Sequence, residues 1–110
     1  MSGPEQAVLK AVWELLQTKY KHGHWDRVSS PAKLYKGRPV KPKNLGMADI
    51  VGCLHGQYVA IECKTEDRHS GNPDTRKRQA EWGADVVKAD GLYRIARSAQ
   101  DVDDLLKELE

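Results

Sequence analysis

The sequence predicts an α/β fold in the order αβββαβα, with helices flanking a mixed β-sheet. Three observations predict it. An amphipathic helical repeat opens the chain, two β-rich runs flank His55-Gly56, and a strand-sized run lies between two later helical stretches. Pro4 suits a first helical position, and Ser2 with Glu5 has the spacing of a capping box. Val8, Ala11, Val12, Leu15 and Leu16 recur at helical spacing, so residues 4–20 read as a helix that Gly23 ends. Residues 24–28 fit a short strand. Residues 29–45 hold three of the five prolines and read as a long exposed loop, which in so small a domain is usually functional or disordered.

The hairpin is the clearest element. Residues 48–54 and 57–64 are rich in β-formers and are separated only by His55-Gly56, a plausible two-residue turn. A polar stretch follows. Asp74 or Thr75 can cap a helix running to about Lys88, and Gly91 opens a strand over 92–96. Ser98 and Asp101 have capping-box spacing for a last helix whose core face is Val102, Leu105 and Leu106. Trp82, Val86 and Val87 read as core or as a dimer interface.

The 110 residues suit one compact domain, spanning 1–110. At 39% hydrophobic and 31% charged the composition is globular, and no apolar run nears the ~20 residues of a membrane span. With no targeting segment visible, a cytoplasmic location is expected, with no membrane partner. The net charge of +2 conceals segregation. Residues 19–43 carry eight lysines and arginines against Asp26 alone, whereas residues 101–110 carry five carboxylates against Lys107. Arg27, Lys33, Lys36, Arg38, Lys41 and Lys43, interleaved with Tyr20, Trp25 and Tyr35, suit a phosphate backbone; a solvated lysine-rich loop is the competing reading. Arg76 and Arg78 open a helix and admit the same two readings.

The register of the hairpin carries the chemistry. A two-residue turn pairs Leu54 with Gln57, and counting outward sets Asp49 opposite Glu62. Directly opposed Cβ atoms lie about 4.5–5.5 Å apart on one face, and Lys64 shares that face with Glu62. Opposed carboxylates repel unless a cation joins them, and hard oxygen ligands are what Mg²⁺ or Mn²⁺ accepts. Such a cation would activate a water for in-line attack on a phosphodiester, with Lys64 orienting the water or stabilising the transition state. Two carboxylates and a lysine supply no nucleophile of their own, so hydrolysis is the implied reaction. The same register places Cys53 and Cys63 on opposite faces, which argues against a disulfide. Glu5 falls on the core-facing stripe of the first helix; it is either a further metal ligand or a capping residue at the helix dipole. His22-Gly23-His24 has an H-x-H spacing open to zinc, but no CxxC and no third ligand accompanies it, so an exposed or DNA-facing role is expected.

With those residues in view, the sequence resembles a known group. Gly46-Met47-Ala48-Asp49, thirteen residues before Glu62-Cys63-Lys64, is similar to the G-x-x-D…E-x-K core of PD-(D/E)XK nucleases. Glu5 in an opening helix, the run from Asp49 through Leu54, Gln79 in Arg78-Gln79-Ala80, and Ala96-Arg97-Ser98 before an acidic helix resemble the virus-type replication-repair nuclease (VRR-NUC) branch. The resemblance implies a restriction-endonuclease-like fold. It implies Glu5, Asp49 and Glu62 as metal ligands together with the Cys63 carbonyl, Lys64 as the catalytic lysine, and Gln79 as a helix residue of the site. It further implies an endodeoxyribonuclease using Mg²⁺ or Mn²⁺, a homodimer, and branched DNA of the Holliday-junction or flap type as substrate in replication or repair. The setting would be the host cytoplasm if the chain is phage-encoded. Ala48 stands where the family often has proline, and Cys63 where it has an apolar residue. A non-catalytic DNA-binding module and an RNA-directed nuclease on the same fold are the competing expectations, and Gln79 also reads as an ordinary polar helix residue.

Overall fold

A computed structural model of the chain describes residues 4–28, 33–35, 38–40, 46–65 and 73–110. The opening repeat forms α1 (Pro4–Thr18), two residues shorter than the spacing predicts. It leads into β1 (His24–Arg27). The central hairpin is β4 (Ile50–Leu54) and β5 (Gln57–Cys63), and α2 (Pro73–Lys88) carries the chain across to β6 (Leu92–Ala96). The chain ends in α3 (Ala99–Leu106) and a 3₁₀ turn (Lys107–Leu109). The capping residue of α3 is Ser98, whose Oγ accepts from the Asp101 N–H. The Asp101 carboxylate reaches back to the Arg97 N–H at 2.8 Å, one residue beyond the partner that a capping box uses.

One element departs from expectation. The segment read as a continuous loop contains β2 (Lys33–Tyr35) and β3 (Arg38–Val40), paired antiparallel as a separate two-stranded ribbon. Strands of three residues are too short to show an alternating pattern, and Pro39 reads as a strand breaker although edge positions accept it.

The main sheet has the order β1-β4-β5-β6, antiparallel except for the parallel β5–β6 pair, and is therefore mixed. Leu54 faces Gln57 across the turn, as counted from the sequence. His55 (φ +52°) and Gly56 (φ +79°) both lie in the left-handed region, the signature of a type I′ turn whose twist matches its strands. Alternation along β5 then divides the molecule. Val59, Ile61 and Cys63 enter a core with Val12 and Leu16 of α1, Tyr20 just after it, and Val102 and Leu106 of α3. Ala60 faces the other way, into a smaller cluster with Ala48 and Val86, where Val51, Trp82 and Tyr93 are partly buried. Val87 is exposed, so only part of the Trp82-Val86-Val87 group is core. The sheet is thus covered by α1 and α3 on one face and by α2 on the other. Among the described residues no helix is long and apolar enough to cross a membrane.

Candidate active site

Residues 62 and 64 continue the alternation of β5 toward the α2 face, and both are buried there despite their charge. α2 answers with Gln79. Its Oε1 accepts from the Lys64 ammonium at 2.9 Å, and its Nε2 donates to Glu62 Oε2 at 3.2 Å. The Lys64 Nζ lies 3.4 Å from the same Glu62 oxygen. The other oxygen, Oε1, is buried and finds no hydrogen-bond partner among the described residues. A buried acceptor left unmatched costs on the order of 1–3 kcal/mol, and more when charged.

Asp49 sits differently from the register count. The β4 ladder starts at Ile50, which faces Ile61, so Asp49 lies just outside it in a bend. Its Oδ2 accepts from the Cys63 N–H at 2.8 Å, and its own carbonyl accepts from the Val28 N–H at 2.7 Å. The backbone bond replaces the strict cross-strand pair, in which two carboxylates would repel at closest approach. Gly46 makes the bend possible. At φ +84° it passes so close to the Arg78 backbone that a Cβ would meet the Arg78 carbonyl oxygen at 2.6 Å. The glycine of the G-x-x-D motif thereby seats the Asp49 segment against the helical turn that presents Gln79.

The electrostatics show the acidic groups sharing one environment. Burial pushes the Glu62 carboxyl up to about 7, and the charge of Asp49 adds to the effect. Burial likewise raises Asp49, opposed by the Cys63 N–H bond and by Lys64. Glu5, half-buried in the first turn of α1, raises both carboxyls and the Cys63 thiol by its charge, so it faces the same end of β5. Three carboxylates, one with a buried unsatisfied oxygen, beside a held lysine, fit a hard divalent cation such as Mg²⁺ or Mn²⁺. Their ligand atoms do not all lie within 4.8 Å of one another. Mutual repulsion spreads such a set until a cation compensates it.

The expected phosphate contacts divide into three groups. Arg27 ends β1, exposed, with its guanidinium 5.8 Å above the Trp13 ring, and its charge reaches Asp49. Arg76 and Arg78 are exposed on the first turns of α2, beside Gln79. Lys33 and Arg38 belong to the β2–β3 ribbon, while Lys36, Lys41 and Lys43 lie outside the described residues. The basic segment nonetheless has both its roots at the site: it departs after Val28, bonded to Asp49, and returns at Gly46, packed on Arg78. Cys53 is exposed, Cys63 is buried, and both are free, as the opposed faces require.

Sequence reasoning missed a second cluster, at the far end of the hairpin. His22 does not act with His24, whose Nε2 lies 3.5 Å from Asp26 Oδ2. It meets His55 of the β4–β5 turn and Glu110. No local spacing signals it, because its members are 55 and 88 residues from Glu110.

No protein-family profile matches the chain, and no curated protein does. Among solved structures it is similar to one described as a VRR_NUC domain, with 21% identity over 99% of this chain and 100% of that one, and a TM-score of 0.60. Strand order, the hairpin and the flanking helices therefore place this chain in the fold of a VRR_NUC domain.

Proposed function

We propose that the chain is a divalent-metal-dependent nuclease of the VRR-NUC type that hydrolyses DNA phosphodiesters at the open end of the β4–β5 hairpin. The observation that carries this reading is Glu62: a buried carboxylate with one oxygen unmatched among the described residues, held between Lys64 and Gln79 and close enough to Asp49 to feel its charge. Folding does not benefit from such a group, but a cation would. Glu62 Oε1, the Asp49 carboxylate and Glu5 are the side chains that would hold it. When bound, the cation supplies Lewis acidity and an activated water.

The remaining work falls to the protein. Cys63 N–H fixes the Asp49 carboxylate, and Gln79 fixes both Glu62 and Lys64. The Lys64 ammonium, anchored on one side by Gln79, retains donors for the phosphoryl oxygens as negative charge develops there. Among the described residues at the site, burial pushes the Cys63 thiol up to about 12, and the Tyr93 phenol, which feels the charges of Glu62 and Asp49, likewise up to about 12, so neither is ionised to attack; water is the nucleophile. The basic segment rooted at the site supports a nucleic-acid substrate. Branched DNA and action as a homodimer, one centre per strand, complete the proposal.

Labelled four-way junction, flap, linear duplex and single-stranded RNA, incubated with the full chain in Mg²⁺ or Mn²⁺, test it. Cleavage of branched DNA is expected, with at least a hundredfold loss in Asp49→Asn and retained binding. Equal cleavage by the variant overturns the site, binding without cleavage by the parent chain overturns catalysis, and preferential cleavage of RNA overturns the substrate.

A further inference from the structure

The cluster at the far end of the hairpin does not take part in that chemistry. Its Nε2 atoms, from His22 and His55, converge on one oxygen, Glu110 Oε2, at 3.1 and 2.6 Å. The two imidazoles are tilted against each other, centroids 5.2 Å apart and planes at 46°. All three ligand atoms fall within 4.8 Å of one another, and among the described residues this is the one set of three His, Cys, Asp or Glu side chains that does. Each comes from a different turn: His22 from the α1–β1 connection, His55 from the type I′ turn, and Glu110 from the residue after the closing 3₁₀ turn. His55 adopts φ +52° there, a conformation that costs a β-carbon residue energy and that glycine would take freely.

We propose that His22, His55 and Glu110 form a Zn²⁺ site that pins these three turns together. In a tetrahedral zinc site with bonds of about 2.0–2.2 Å, ligand atoms stand roughly 3.4 Å apart. The observed 2.6 and 3.1 Å separations need to open only slightly, and all three residues are exposed and free to do so. Two imidazoles and a carboxylate leave one position for water. Ligand chemistry sorts the ions: imidazole favours zinc, copper and nickel, whereas the all-oxygen set around Glu62 favours magnesium or manganese. The two sites lie at opposite ends of β5, on the order of 17 Å apart along the strand at its usual rise. The ion joins the three turns with one position open to solvent, and the site is independent of the nuclease reading.

Isothermal titration of ZnCl₂ into the full chain, with thermal denaturation in parallel, provides the test. Four proteins are compared: the parent chain, His22→Gln, His55→Asn and Glu62→Gln. Asparagine removes the ligand but tolerates the positive φ of the turn. One zinc equivalent is expected in the parent and in Glu62→Gln, with affinity at least tenfold weaker in each histidine variant. The zinc-induced rise in Tm should vanish in both histidine variants. Absence of zinc binding by the parent, unchanged affinity in the histidine variants, or a loss confined to Glu62→Gln would each overturn the site.

Discussion

Glu62 shows how much a single residue can reveal and how pH should expose it. Its carboxyl is raised from 4.5 to about 7 in the fold, chiefly by burial. The folded chain therefore holds a proton that the unfolded chain has released, and stability must fall as pH climbs through that interval. Without metal, the loss between pH 4.5 and 7 should approach about 3 kcal/mol. Glu62→Gln should remove the share due to Glu62, leaving that of Asp49, whose carboxyl burial also raises; urea denaturation in EDTA at pH 5 and pH 8 compares the two proteins, and a parent–variant difference that is the same at both pH values contradicts the burial argument. Lys64 and Gln79 divide by role. Lys64→Met should cut kcat by roughly two to three orders of magnitude, as expected for losing a donor to developing charge. Gln79→Ala, which frees a lysine still present, should cost less, and single-turnover rates separate them. At this scale the sequence was informative about identity and face but not about detail. Counting from the turn put Asp49 opposite Glu62; the structure puts it one step outside the ladder, bonded to the Cys63 N–H. Alternation encodes the face, whereas the choice between a ladder partner and a backbone donor depends on repulsion that pattern does not express.

Elements owe their positions to close approaches as much as to pattern. A Cβ on Gly52 would fall on the His24 carbonyl and the Trp25 ring, where β1 pairs with β4. Gly52→Ala should therefore lower stability by about 2 kcal/mol. Gly56→Ala should cost only about 1 kcal/mol, because the turn leaves open space around it and only its φ of +79° is offended. Thermal unfolding of the two variants ranks them, and a reversed order would refute the contact. The hairpin was legible because β-rich runs and a turn dipeptide agree with each other. The β2–β3 ribbon was hidden because its two strands are only three residues long and one of them holds a proline.

For the whole molecule, charge and topology converge on one end of the sheet. Residues 19–43 are strongly basic, and the segment they extend into begins and ends beside Asp49 and Gln79. If that segment tracks a phosphate backbone, replacing Lys36, Lys41 and Lys43 by glutamine should weaken DNA binding without altering preference among substrates. The log–log salt slope should flatten by about 0.9 for each phosphate contact removed from a duplex arm. Fluorescence anisotropy across a salt series measures it, and an unchanged slope would assign the charge to solvent. The three-layer arrangement was predictable, since helical and alternating periods name the layers. The convergence of three turns at the opposite end was not, because nothing local marks residues brought together only by the finished topology.

The two cysteines carry a practical consequence. Cys63 lies under α1 with its thiol pushed up to about 12, while Cys53 looks outward from β4. Maleimide and iodoacetamide reagents act on thiolates they can reach. The native chain thus offers a single attachment point, and a fluorophore or spin label can be installed on β4 without first engineering any cysteine away.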